Sequence, residues 1–168
     1  PLPFYYLPYM ILVTTPLWVL ALLALGQVAA LARLYRERKT LAAGDRPMAL
    51  LLCTGLWLLP FLYAIIARPT LYNGWRHMYF LYGPMLALAA YGLFCAWNWL
   101  KRLKRAAFRR MAAGLLALCM VCTAGLMVLA YPNEYTYFNA LVYSKTLPDY
   151  MELDYWNVSA LQTVRAPL

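Results

Sequence analysis

The basic clusters RLYRERK at Arg33–Lys39 and KRLKRAAFRR at Lys101–Arg110 separate long apolar segments that contain no Asp, Glu, Lys or Arg. A helix that crosses the hydrocarbon core of a bilayer needs about 20 apolar residues at about 1.5 Å rise per residue. Each uncharged segment reaches that length. The segments are Pro1–Ala32, Pro47–Ala67, His77–Leu100 and Met111–Asn133.

This pattern predicts an all-α, polytopic bundle with four membrane-spanning helices. The predicted spans are Tyr9–Leu31, Met48–Ala67, His77–Leu100 and Met111–Tyr131. Residues 1–131 then form the transmembrane bundle. Residues 132–168 form a short aromatic-rich tail, which we interpret as the start of a further segment.

The basic residues also predict the orientation of the bundle. Eleven of the 15 Lys and Arg residues fall in the two loops at residues 33–46 and 101–110. Cytoplasmic loops carry such an excess of positive charge. Both chain ends, the Arg68–Arg76 loop and the tail are therefore predicted to face outward, in a multi-pass protein of the inner (plasma) membrane.

Composition excludes two other classes of protein. The chain is 65% hydrophobic and 12% charged, which is too apolar for a soluble domain of 168 residues. Its net charge of +9 lies almost wholly beside the predicted spans. Topology and attraction to anionic headgroups explain that charge, so a lipid bilayer is the expected partner and nucleic acid is not.

The cysteines predict no metal site. Cys53, Cys95, Cys119 and Cys122 all fall within predicted spans, where a thiol acts as a small apolar residue. A CxxC pair at Cys119 and Cys122 has no second pair to complete a zinc site.

Three prolines are expected at one depth in the membrane. Pro16, Pro60 and Pro84 each lie about seven residues from the predicted outward end of their helix. A proline frees a backbone carbonyl, which in a bilayer must face protein or a watery cavity. The sequence leaves both alternatives open.

Aromatic residues are concentrated on the same predicted side. The tail has six tyrosines within the 25 residues after Ala130. Their faces suit packing on the bundle or contact with sugar rings, and both interpretations remain open. We expect five aromatic residues of the tail to dock on the bundle: Tyr135, Tyr137, Phe138, Tyr155 and Trp156.

Arg76 and His77 stand at the predicted outward mouth of the third span. A guanidinium there can bind a phosphate through two oxygens, and the start of a helix adds partial positive charge. The competing interpretation is an arginine that extends its charged group to the headgroups, beside an interfacial histidine.

Four stretches resemble the C-terminal half of bacterial GT-C superfamily membrane glycosyltransferases, those similar to dolichyl-phosphate-mannose protein mannosyltransferases and lipid A aminoarabinose transferases. They are YYLPYMILVTTP at Tyr5–Pro16, YNGWRHMYFLYGPMLALAAYG at Tyr72–Gly92, YPNEYTYFNALV at Tyr131–Val142 and MELDYW at Met151–Trp156. The resemblance implies a many-helix enzyme that passes a sugar from a polyprenyl-phosphate carrier to a glycan, lipid or protein acceptor outside the cytoplasm.

The resemblance also implies roles for individual residues. Arg76, with His77 or Arg68, would bind the phosphate of the lipid carrier. Trp75, Tyr79 and Tyr82 would line a cavity or contact the sugar. The family's catalytic carboxylate lies in an earlier outward loop, so no catalytic residue is assigned here and one is expected upstream of Pro1. No cofactor is predicted, although a divalent metal in the complete enzyme stays open.

Two other classes of function stay open. A non-catalytic membrane scaffold or assembly subunit would explain the spans and the aromatic tail without any site. A small transporter would explain proline-kinked helices, but transporters carry ionisable groups within their spans. Such groups lie near the bilayer centre, where none of the four predicted spans has an Asp, Glu, Lys, Arg or His.

Overall fold

The computed structural model describes residues 3–39, 44–71, 75–102, 106–130 and 137–142. Within these ranges the chain forms five α-helices and one 3-10 helix, and no strand. The α-helices are α1 (Tyr6–Thr14), α2 (Leu17–Arg36), α3 (Asp45–Ala67), α4 (Tyr82–Arg102) and α5 (Ala106–Ala130), and the 3-10 helix covers Arg76–Leu81.

Four helical segments in the described part of the chain are long and apolar enough to cross a membrane. They are Leu17–Arg36, Asp45–Ala67, Arg76–Arg102 and Ala106–Leu129. The predicted all-helical class and the four helices of spanning length are thus confirmed. The inside or outside placement of the ends stays a prediction, and the tail beyond residue 142 lies outside the described residues.

The first helix differs from its prediction. Tyr9–Leu31 was expected as one span through Pro16, whereas the helix breaks there and the candidate span is Leu17–Arg36. Thr15 is extended, with φ −102° and ψ 135°. A residue before proline avoids the helical region because the proline ring clashes with it. Pro16 therefore ends α1 and starts α2, whose Val19 N–H donates to the Pro16 carbonyl at 2.9 Å.

The other two prolines have different effects. Pro60 lies inside α3 without ending it. Pro84 is the third residue of α4, where a missing N–H costs no helical hydrogen bond. Its ring disfavours an α-helical carbonyl four residues earlier, at Phe80. This accounts for the 3-10 conformation of the segment that precedes α4.

The closest helix packing joins α2 to α4 through two glycines. A Cβ on Gly26 would lie 2.9 Å from the Gly92 nitrogen, and one on Gly92 would lie 2.7 Å from the Gly26 nitrogen. Either methyl group would also overlap a backbone carbonyl, that of Leu88 or Leu22. Backbones approach this closely in membranes where small residues face each other, since dispersion contacts then replace a hydrophobic driving force.

Two indole groups tie the remaining helices to α2. Trp57 of α3 donates to the Gln27 side chain at 2.8 Å, and Trp18 donates to the Thr123 hydroxyl of α5 at 3.1 Å. α5 is otherwise loosely attached, because none of the residues in its apolar window is buried.

The helices meet at two ends of the bundle. At the basic end α2 and α4 finish, with Arg33, Arg36, Lys101 and Arg102 in their last turns. α3 starts at the same end with Asp45 in its first turn. Cations at helix C-termini and an acid at a helix N-terminus both interact favourably with the helix dipole. The opposite end, here the Trp75 end, comprises α1, the last turn of α3 and the 3-10 helix.

Candidate functional site

Trp75 fixes the start of the 3-10 helix against α1. Its side chain is only 2% exposed, and its indole N–H donates to the Thr14 hydroxyl at 2.9 Å. That hydroxyl donates in turn to the Met10 carbonyl at 2.7 Å. The buried indole is therefore fully hydrogen-bonded, as a buried polar group requires. In this conformation Trp75 positions the segment and presents little surface to a ligand.

Two tyrosines pack on the indole of Trp75. The Tyr79 ring lies 5.2 Å from it at 87°, and the Tyr82 ring lies 5.7 Å from it at 50°. The edge-to-face geometry of the Tyr79 pair is favoured by the ring quadrupoles. Tyr79 remains 57% exposed, and Tyr82 is half-buried. The three residues predicted to line a cavity thus form one cluster, in which Tyr79 offers the most open face.

Arg76 and His77 follow Trp75 as the first two residues of the 3-10 helix. Arg76 is half-buried and His77 is exposed. Both make an interaction with the surrounding protein. The next turn is anchored by Met78 and Leu81, which are 8% and 0% exposed. Arg76 and His77 therefore lie on a segment that is packed firmly on both sides.

Arg68 ends α3 at the same end of the bundle. It adopts the left-handed conformation at φ 48°, and its N–H donates to the Ala64 carbonyl at 3.1 Å. Glycine normally takes this position because a Cβ is strained there. Arg68 is exposed and lies eight positions before Arg76 in the chain. The two arginines share an end of the bundle, and residues 72–74 between them lie outside the described ranges.

Asn139 closes the helix break at Pro16. It is 6% exposed, and its side-chain amide donates to the carbonyls of Leu12 at 2.6 Å and Thr15 at 2.7 Å. Its backbone N–H donates to the Val13 carbonyl at 2.8 Å. Three carbonyls at the end of α1 thus receive donors from one residue. The carbonyls freed near Pro16 therefore face protein and not a watery cavity.

The segment around Asn139 packs on the Trp75 end. Two of the five aromatic residues expected to dock, Tyr137 and Phe138, lie in a described range and both are half-buried. Burial raises the pKa of Tyr137 above its ordinary value, and the neighbouring Tyr82 adds to that effect. The phenol therefore stays neutral at physiological pH. Tyr135, Tyr155 and Trp156 fall outside the described residues.

Sequence reasoning missed Asn139, Thr14 and the glycine contact. Signals existed for Asn139 and for the glycine contact. The carbonyls freed by Pro16 require donors, and an asparagine within an aromatic stretch is a suitable one. Gly26 and Ala30, like Gly92 and Ala96, follow the small-xxx-small pattern of close helix contacts in membranes.

Metal binding has no support in the described ranges, which contain no group of three His, Cys, Asp or Glu side chains that could hold an ion. Comparison with known proteins adds no further assignment. No family model matches the chain, and neither a curated protein nor a solved structure matches it.

Proposed function

We propose that the chain is part of an integral membrane glycosyltransferase that transfers a sugar from a polyprenyl-phosphate donor to a glycan, lipid or protein acceptor on the outer side of the inner membrane. The observation that carries the proposal is the fixed position of Arg76. The residue before it is locked to α1 by the hydrogen bond between Trp75 and Thr14. The residues after it are held by the buried Met78 and Leu81.

This arrangement suits the recognition of a lipid phosphate. A guanidinium can hold two phosphate oxygens in a fixed geometry, whereas an ammonium group acts as a point charge. The backbone at the start of the 3-10 helix adds donors and partial positive charge. His77 is exposed beside it and Arg68 carries a further charge at the same end of the bundle.

The aromatic neighbours suit the rest of the donor. Tyr79 is 57% exposed and lies one turn beyond Arg76. A flat ring with a polar edge can pack on a sugar or on an isoprenoid unit. Trp75 would hold the Tyr79 ring in place, since its indole packs against both Tyr79 and Tyr82.

In the reaction the carrier phosphate leaves with growing negative charge. Arg76 would stabilise that charge more strongly in the transition state than in the bound donor, which is how a fixed cation accelerates a reaction. The resemblance to GT-C enzymes supplies the other half of the mechanism. It implies a carboxylate upstream of Pro1 that takes the proton from the acceptor hydroxyl.

Binding of a carrier analogue to the purified protein tests this proposal. The probe is a C15 prenyl monophosphate, and the matching prenyl alcohol controls for apolar binding. We expect Arg76→Ala to weaken phosphate binding by about tenfold to a hundredfold, as for loss of a charge-assisted hydrogen bond. Arg110→Ala, which removes an exposed arginine at the other end, should have no effect.

Two results would refute it. One is equal affinity of the parent protein for the monophosphate and the alcohol. The other is equal weakening by Arg76→Ala and Arg110→Ala, which would reduce Arg76 to one charge among many. Either result would favour the scaffold alternative.

A further inference from the structure

An apolar groove runs between α4 and α5, away from the Trp75 end. It has a volume of about 470 Å³, within the range of ligand-binding clefts. Helices α4 and α5 form its two walls, and three of its lining residues are alanines. Its lining includes Ala90, Phe94, Trp97, Ala113, Ala117 and Met120.

The groove leads to basic residues at the basic end of the bundle. On α4 the lining positions 90, 94 and 97 continue to Lys101 at helical spacing. On α5 the lining positions 113, 116 and 120 continue backwards to Arg109 in the same way. Lys101 and Arg109 thus extend the two walls beyond the apolar part. Arg102 lies about 100° further round α4, off this stripe.

We propose that the α4–α5 groove binds an anionic phospholipid. One acyl chain lies along the lining alanines, and the phosphodiester is held between Lys101 and Arg109. This inference is independent of the proposed glycosyl transfer, since it uses the other end of the bundle.

Charge complementarity selects this occupant. An apolar cleft alone would accept any acyl chain, but cations at the end of both walls favour a headgroup that carries net negative charge. Trp97 is 37% exposed between the acyl region and Lys101. Tryptophan prefers this level of a bilayer because its ring is apolar and its N–H is polar.

The weak packing of α5 against the bundle also favours a lipid in the groove. No residue in the apolar window of α5 is buried, and the Thr123 hydroxyl of α5 accepts a hydrogen bond from Trp18 beyond the groove. A lipid in the groove would fill the space between the two helices over about two turns. It would therefore stabilise the position of α5.

Quenching of tryptophan fluorescence tests the proposal. The protein in a neutral detergent is titrated with phosphatidylglycerol that carries bromine on its acyl chains, and in parallel with brominated phosphatidylcholine. We expect saturable quenching with at least fivefold preference for phosphatidylglycerol, since each basic residue contributes about that factor near an anionic lipid. Trp97→Phe should remove most of the saturable signal.

Matched variants locate the site. The double variant Lys101→Gln with Arg109→Gln should abolish the preference for phosphatidylglycerol. The control double variant, Arg102→Gln with Arg46→Gln, removes equal charge from exposed positions off the stripe. The control should retain the preference. Ala117→Phe fills the groove and should remove saturable quenching by both lipids. Ala117 is exposed, so the larger side chain does not disturb a core.

Three outcomes would overturn the proposal. Equal loss of preference in the two charge pairs would show a general effect of surface charge. Unchanged quenching in Ala117→Phe would place the lipid elsewhere. A dimer in the parent protein that Ala117→Phe dissociates, with no lipid preference in either form, would show that a second copy occupies the groove.

Discussion

The side-chain amide of Asn139 donates a 2.7 Å hydrogen bond to the Thr15 carbonyl, although 124 residues separate the two in sequence. The amide orientation is fixed on its other side, because its oxygen accepts from the Leu141 N–H at 3.0 Å. This contact joins the segment after α5 to the break between α1 and α2. Pro16 leaves carbonyls at the end of α1 without helical donors, and Asn139, far along the chain, supplies donors to them.

Loss of the Asn139 amide should destabilise the bundle. Asn139→Ala leaves buried carbonyls without a donor, and we expect a loss of about 1–3 kcal/mol in the free energy of unfolding. Asn139→Asp should be worse because a carboxylate would face the same carbonyls. Thermal unfolding in detergent measures both, with Leu141→Ala as the control, since Leu141 is 56% exposed. Equal stability of Asn139→Ala and that control would contradict the capping role.

The glycine contact between α2 and α4 predicts a second effect. Gly26→Ala or Gly92→Ala should separate the helices and lower the unfolding temperature, since the added methyl overlaps backbone. Gly114→Ala meets no atom within 4 Å. This control should be neutral or stabilise the helix by up to about 1 kcal/mol, the difference in helix propensity. If all three variants behave alike, close packing is absent.

The hydrogen bond between Trp75 and Thr14 predicts coupling between two variants. Trp75→Phe and Thr14→Val each remove one partner and keep most of the apolar volume. In a double-mutant cycle we expect a coupling energy of about 1 kcal/mol, measured from thermal unfolding. Strictly additive losses would mean that the bond contributes nothing. In the parent background, Trp75→Phe should also weaken prenyl monophosphate binding, because the indole positions Arg76.

Orientation is predicted from charge and has a direct test. Thr40→Cys lies in the first basic loop and should resist membrane-impermeant thiol reagents in whole cells, while Ser144→Cys should react. The expectation follows from the eleven basic residues in two loops. Both variants must be made in a background in which the four native cysteines are replaced. External labelling of Thr40→Cys alone would reverse the topology and move the Trp75 end to the cytoplasm.

Local sequence patterns predicted the helices well because the length and hydropathy of a spanning segment depend on its own residues and not on distant contacts. The four spanning-length helices needed only segment length and the positions of Arg33–Lys39 and Lys101–Arg110. Helix boundaries near proline were harder. The same residue type ends a helix at Pro16, is retained inside one at Pro60 and occupies a first turn at Pro84.

The candidate site was predicted as a cluster but not in its internal roles. Three residues of the stretch from Trp75 to Tyr82 do pack together, and their functional roles stay a prediction. Burial of Trp75 could not be read from it, because the indole depends on Thr14, 61 residues away. Asn139 depends in the same way on partners more than a hundred residues away. Contacts between distant segments leave only weak signals in a single sequence.

Sugar transfer by the proposed glycosyltransferase of which this chain would be a part tests the central claim most directly. In that enzyme, with a polyprenyl-phosphate sugar as donor, Arg76→Ala should lower kcat/KM by about tenfold to a hundredfold. Arg76→Lys should recover only part of it, because an ammonium cannot hold two oxygens in one plane. Unfolding temperatures should match the parent, so that folding is controlled. Transfer at the parental rate by well-folded Arg76→Ala would contradict the phosphate role.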